Sequence, residues 1–254
     1  MLTRFFISPF LLLSTCILFL SGCGEPKNDV YEIALDPLWV ASNFKEKDNN
    51  VLGFSTELLR IISRDEKISF SLLYTNWDSL FSGLNTNTYQ AVLSSLHPYN
   101  FNLQKYDFSE LYLPIGPVLV LPVSSPYHSL QEIQEKQVAV LENSPSVLLL
   151  ESYPNILISI CSSTADIINK LQSGQVVGAL LPLLTARSYT RGSLKTQFTI
   201  ASPPLNDEGL RLITKKTQKP LLIKKFNKGL ENMKKNGKYE LLLAEWELNA
   251  PLSS

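Results

Sequence analysis

Histidine and cysteine are scarce in this chain, with two of the former and three of the latter among 254 residues. His97 and His128 stand apart, with no close acidic cluster around either, which argues against a metal site. Two cysteines fall within the first 23 residues, leaving Cys161 alone in the rest of the chain, so no disulfide framework is available to staple a fold. Excess charge is also missing: 23 basic residues balance 23 acidic ones, and no long basic run is present. That excludes the electrostatic footprint of a nucleic-acid binder. The basic pairs Lys224-Lys225 and Lys234-Lys235 lie on one helical stretch and read as its solvated face. No Gly-x-Ser-x-Gly elbow, phosphate-binding glycine loop or His-Glu-x-x-His pair occurs, so the common motif-borne enzyme chemistries are not expected, and neither is a cofactor.

The N-terminus carries a positive information-rich feature. Arg4 precedes an apolar stretch from Phe5 to Leu20, closed by Leu20-Ser21-Gly22-Cys23. A membrane span needs about 20 apolar residues, and this stretch is shorter and holds Pro9. A charged start, a short apolar core and small residues before a cut describe a secretory signal. The cysteine at the cut resembles the lipobox of bacterial lipoproteins. That resemblance implies a signal over residues 1–22, acylation (palmitate) at Cys23, a tether over 23–29 and a mature protein anchored to a membrane outside the cytoplasm. Cys161, following Ile156-Leu157-Ile158-Ser159-Ile160, reads as a buried structural thiol.

Beyond the tether, strand-like and helix-like patterns alternate. Strands are expected over Val30 to Leu35, Lys67 to Tyr74, Gln90 to Leu96, Val118 to Val123, Gln137 to Leu141, Ile156 to Cys161, Val176 to Leu181 and Leu210 to Thr214. Helices are expected over Ser55 to Ser63, Asn76 to Leu84, from Thr164 to a stop at Gly174, and over Pro220 to Lys235 with Gly237 after it. Ser129-Leu130-Gln131-Glu132 has the spacing of a capping box. The alternation points to parallel α/β layers in two units.

Several local patterns then combine. Asp36, Trp39 and Phe44 precede Gly53-Phe54; Asn76 to Leu84 includes Trp77, Leu80 and Gly83. Ala91 to Leu96 contains Ser94-Ser95, and Tyr106-Asp107-Phe108-Ser109 follows; Leu171 to Gly174 precedes Ala179, and the tail reads Gly237-Lys238-Tyr239 up to Trp246. In this order the chain resembles the solute-binding proteins of ABC importers for polar amino acids, and the match covers nearly all of the mature chain. The resemblance implies an α/β, periplasmic-binding-protein-like fold of type 2, with two lobes joined by two hinge strands. By analogy one lobe spans residues 30–116 plus 207–254 and the other 117–206. It implies a non-enzymatic periplasmic receptor that captures a small polar solute, an amino acid, and hands it to an inner-membrane ABC permease. The family's cleft residues map onto Asp36, Trp39, Trp77, Ser94, Ser95 and His97 in the first lobe, and Asn143, Ser144 and Ser146 in the second.

Residue chemistry fits such a cleft: an indole covers an aliphatic or cationic side chain, while hydroxyls and backbone N–H groups receive a carboxylate. By residue type alone, Trp77 reads equally as core, Ser94-Ser95 as a turn, and His97 as a turn residue before Pro98. Two departures from the family stand out. Its carboxylate-binding arginine falls in register with Asn102, and its ammonium-binding aspartate falls in a stretch reading Pro182-Leu183-Leu184. Each neutral replacement forfeits roughly 1–2 kcal/mol. They keep two alternatives in view: a sensor or scaffold lipoprotein of the same fold without a transport ligand and, by fold analogy, a secreted dehydratase-like enzyme.

Overall fold

The computed structural model describes residues 30–36, 50–191 and 194–248. The expected signal and tether, with Cys23, and also Trp39 and Phe44 lie outside them, and so does the side chain of Trp77. Among the described residues no helix is long and apolar enough to cross a membrane.

Two sheets organise the chain. The first contains β1 (Val30–Leu35), β2 (Ser69–Tyr74), β3 (Ala91–Ser94), β4 (Tyr106–Phe108), β5 (Leu113–Pro114) and β11 (Gly209–Lys215). Its order is β2-β1-β3-β11-β4, with β5 paired to β11 off that path. The second contains β6 (Pro117–Pro122), β7 (Gln137–Leu141), β8 (Leu157–Cys161), β9 (Gly178–Pro182) and β10 (Phe198–Ile200), in the order β10-β6-β9-β7-β8. Helices α1 (Asn50–Glu66), α2 (Trp77–Asn85), α3 (Asn100–Leu103), α7 (Pro220–Lys235) and α8 (Lys238–Glu245) accompany the first sheet. Helices α4 (Ser146–Glu151), α5 (Thr164–Gln172) and α6 (Leu183–Arg191) follow strands of the second.

The all-parallel expectation is corrected. β1 pairs in parallel with β2 and β3, but β11 runs antiparallel to β3, β4 and β5. In the second sheet β7 is parallel to β8 and β9, while β6 is antiparallel to β9 and β10. The antiparallel strands lie where the chain crosses between the sheets, in one direction at 115–116 and back over 201–208. A strand entering from the other lobe arrives without the helical crossover that makes neighbours parallel. The segments of the two crossings are zipped together: Ile115 N and Gly116 N donate to Glu208 O at 3.0 and 3.1 Å, and Leu205 N donates to Pro117 O at 2.8 Å.

Each sheet buries both faces. In the first, α1, α7 and α8 cover one face through Phe54, Leu58, Ile62, Phe226, Leu230, Met233 and Leu242, packed on Leu35, Leu93 and Leu212. On the opposite face Leu80 and Leu84 of α2 pack on Ala34, Val92 and Ile213. The stripe expected on α7, Leu222, Phe226, Leu230 and Met233, is buried along its length. Tyr112 sits at the heart of the first core, stacked on Phe54 at 6.4 Å and edge-on to Phe226 at 5.9 Å. Burial pushes its phenol well above the ordinary tyrosine range.

Three local expectations shift. α1 begins at Asn50, ahead of the expected Ser55, because Val51 and Phe54 continue its buried stripe. Gly53 therefore lies inside the helix, where it seats the Trp246 ring; a Cβ there would fall 2.1 Å from that indole. β3 ends at Ser94, where the serine Oγ accepts from Leu96 N at 3.2 Å and turns the chain. The capping-box sequence forms a single 3-10 turn, Leu130–Glu132. There Glu132 accepts from His128 N at 2.7 Å and from the Ser129 hydroxyl at 3.1 Å, so the serine caps no backbone N–H.

A working cap occurs at α5 instead. Ser163 is extended and its hydroxyl accepts from Asp166 N at 3.2 Å, while Gly174 at φ 72° follows the helix as expected. Ser163→Ala is expected to cost about 1 kcal/mol, read as a fall of roughly 2–4 °C in melting temperature. An unchanged midpoint would show the cap to be idle.

Candidate functional site

The order of the parallel strands creates a switch point in each lobe. From β1 the chain passes through α1 to β2 on one side, then through α2 to β3 on the other. The helices therefore cover opposite faces, and a crevice opens beyond the carboxyl ends of β1 and β3. Asp36 follows β1 directly there, its N–H donating to Leu93 O at 3.1 Å. In the second lobe β9 and β8 flank β7 in the same way, so the turn after β7 and the end of β9 face the equivalent place.

At the first switch point strand alternation decides which groups meet. Leu35, Leu93 and Leu212 belong to one core face, while Ala34, Val92 and Ile213 belong to the other. Asp36 and Ser94 continue the second series, and Ser94 is the ladder partner of Arg211. The Ser94 hydroxyl donates to Asp36 Oδ2 at 2.9 Å, and both residues are fully buried. A buried carboxylate requires such donors. Ser95 is half-buried beside them.

His97 lies partly exposed in the following turn. Its Nε2 stands 3.7 Å from Asp207 Oδ1, and its ring packs on Tyr99 at 4.3 Å, which in turn stacks on Phe101 at 5.6 Å. The Asn102 amide is buried and donates to the His97 carbonyl at 2.8 Å, closing the turn. Part of its donor capacity is thus engaged within the chain.

At the second switch point Asn143 adopts φ 59°, a left-handed conformation that asparagine tolerates better than most residues. The chain then tightens through Ser144 N to Leu141 O at 3.2 Å and enters α4. Asn143 is exposed and Ser146 is buried. The Ser144 hydroxyl is buried and finds no hydrogen-bond partner among the described residues, a state that costs roughly 1–3 kcal/mol unless a partner arrives.

The structure thus brings Asp36, Ser94, Ser95 and His97 to one switch point and Asn143, Ser144 and Ser146 to the other. Asn102 sits beneath His97. Sequence reading passed over Asp207 and Arg211, although an arginine between Leu210 and Leu212 interrupts an apolar strand and so signalled a special position. Cys161 is buried, as its apolar flank indicated. Among the described residues no group of three histidine, cysteine, aspartate or glutamate side chains could hold a metal ion.

A surface concavity of about 780 Å³ lies elsewhere, over α7 between Lys224, Asn227, Lys228, Lys234 and Glu110. It is an open groove of flexible lysines, and none of the switch-point residues lines it. Converging buried polar groups make the switch points the better candidate.

Besides the crossovers, α6 ties the lobes together. Leu183 N donates to the Ile115 and Gly116 carbonyls at 3.3 and 3.1 Å, and Leu184 packs on the first core. Arg187 and Arg191 donate to Glu247 O at 3.3 and 2.7 Å. Burial, with Arg191 nearby, holds the Arg187 guanidinium down to about 10, still charged at neutral pH.

Comparison with known proteins agrees with this fold. Residues 31–249 match the model of the bacterial extracellular solute-binding proteins, family 3. The chain is 24% identical over 249 residues to the arginine-binding extracellular protein ArtP of Bacillus subtilis, covering 93% of this chain and 96% of that protein. It is 24% identical over 201 residues to the ABC transporter glutamine-binding protein GlnH of the same organism, covering 76% and 72%. Its fold resembles the L-cystine solute receptor of Neisseria gonorrhoeae in the unliganded open conformation, with TM-score 0.72, 19% identity, and coverage of 87% and 93%.

Proposed function

The chain belongs to the bacterial extracellular solute-binding proteins, family 3, and on that premise we propose that it captures a free amino acid between its lobes for an ABC importer. The observation that carries this reading is the pairing of two switch points on lobes joined by zipped crossovers. One offers Ser94, Ser95 and His97; the other offers Asn143, Ser146 and a buried Ser144 hydroxyl without a partner among the described residues. A solute touching both sets stabilises only the closed arrangement, so it shifts the open–closed equilibrium by its differential affinity. The closed form is then what an inner-membrane permease distinguishes from the empty one. Arginine, glutamine and cystine, the ligands in the names of its relatives, share an α-ammonium and an α-carboxylate, which such donors and acceptors suit.

The remaining features of the reading are lipid attachment at Cys23 after removal of residues 1–22, a periplasmic location and no catalytic role. Mass spectrometry of the N-terminal peptide from a membrane fraction tests the anchor. Capture is tested by titrating the twenty L-amino acids while following tryptophan emission and thermal stability. Binding of at least one is expected, and a flat response to all twenty counts against capture.

Trp39 and Trp77 belong to the reading as the aromatic cover of the solute, with Asp36 beneath. Trp39→Ala is expected to weaken binding more than tenfold, about 1.4 kcal/mol, without lowering the melting temperature. Equal affinity in the variant removes Trp39 from the site. A sensor or scaffold without a transported ligand is the second reading. It draws on the Asn102 amide being tied to the His97 carbonyl and on the absence of a carboxylate at Pro182-Leu183-Leu184. A closed structure holding an ordered solute would exclude it.

A further inference from the structure

The geometry points to Arg211 as the cation that receives the carboxylate of the solute, with Asp207 as a resident carboxylate that occupies it until solute arrives. This rests on the capture reading above and assigns the charge that reading lacks.

Position 102 holds a neutral amide, part of whose donor capacity closes its own turn. Strand register supplies a cation from elsewhere. Arg211 is the ladder partner of Ser94 and therefore shares its sheet face at the carboxyl end of β3. The Arg211 side chain is 12% exposed, whereas its Asp207 partner is 64% exposed. A guanidinium offers five donors, and the three contacts given to this one are long. Nη1 donates to Ser109 O at 3.3 Å; Nη2 lies 3.5 Å from both Asp207 O and Asp207 Oδ2. These distances sit at or beyond the outer edge of normal hydrogen bonding, so a better-placed carboxylate can compete. An ion pair to so exposed a partner contributes little, which makes Asp207 displaceable. Asp207 also faces His97 Nε2 at 3.7 Å, and it belongs to the return crossover between the lobes. Its release from Arg211 would thus be felt in the segment on which the lobes turn.

The test uses the full mature protein and, as probes, the twenty L-amino acids together with their α-carboxamides, with affinities read by calorimetric titration. In the unaltered protein the amino acid that binds is expected to do so at least tenfold more tightly than its carboxamide. Arg211→Gln is expected to lose more than tenfold in affinity for the acid while changing the amide by less than threefold. Arg211→Lys, which keeps the charge, should recover part of the loss, and Asp207→Asn should bind the acid several-fold more tightly. Equal losses for acid and amide in Arg211→Gln, or no acid preference in the unaltered protein, would overturn the assignment while leaving capture standing. No binding of any amino acid would overturn capture, and the role of Arg211 with it.

Discussion

Tyr112→Ala is expected to destabilise the folded protein by roughly 3–5 kcal/mol, the range for removing a buried aromatic ring from a tight core. Three features place it at that level. The ring is fully buried between Phe54 and Phe226, so its loss leaves a cavity lined by other aromatics. Its hydroxyl lies 3.0 Å from Ser55 Oγ. Since Ser55 donates its own proton to Val51 O at 2.6 Å, the tyrosine is the donor in that pair. Its carbonyl also receives the Tyr239 hydroxyl at 2.8 Å, which joins α8 to the strand. For a chain of this length the fall in melting temperature is on the order of 10 °C. Tyr112→Phe separates the contributions: it keeps the ring, loses one hydrogen bond and is expected to cost only about 0.5–1.5 kcal/mol. Equal effects of the two variants in urea unfolding would show that the ring contributes little.

The second large effect is expected at Gly209. A Cβ there would stand 2.4 Å from Leu113 O, 2.4 Å from Leu111 Cδ1 and 3.0 Å from Pro114 Cα. The leucine methyl can move aside, but the carbonyl and the proline belong to the backbone of β5, the strand paired with β11 at this point. Gly209→Val is expected to lose about 3 kcal/mol by forcing the two strands apart. Because β5 leads directly into the first crossover, the damage should also reach the neighbouring hydrogen bonds. Hydrogen exchange should accelerate at Tyr112 and Ile115, whose N–H groups donate to Leu210 O and Glu208 O at 3.0 Å each. An unfolding midpoint and exchange rates equal to those of the unaltered protein would show that the strands accommodate a side chain.

Much of this was legible in the chain. Period-two strands such as β2 and the apolar stripe of α7 follow from local pattern, because burial of one face imposes that pattern directly. The orientation of β11 and β6 was not legible. Direction depends on how the chain enters a sheet, and that entry is a property of the crossovers rather than of the strands. Gly53 fell ahead of the expected helix start for a related reason: its place inside α1 makes room for Trp246, nearly 200 residues away. The resemblance could name Ser94, Ser95 and His97 as candidates because they close β3 or follow it in sequence. It could not name Arg211, since only the antiparallel pairing of β11 with β3 sets it beside Ser94.

The contacts of α6 fix how the two halves can move. Both crossovers and the grip of Arg187 and Arg191 on Glu247 O join the two halves, with α6 starting at Leu183 beside the first crossover. Joined at several contacts rather than at one, the second half is expected to swing like a door on its jamb more readily than to slide or twist. Groups close to the jamb, such as Asp207 and Arg211, travel little and can hold a guest in either state, while those at the free edge sweep the widest arc and reach it only as the door shuts.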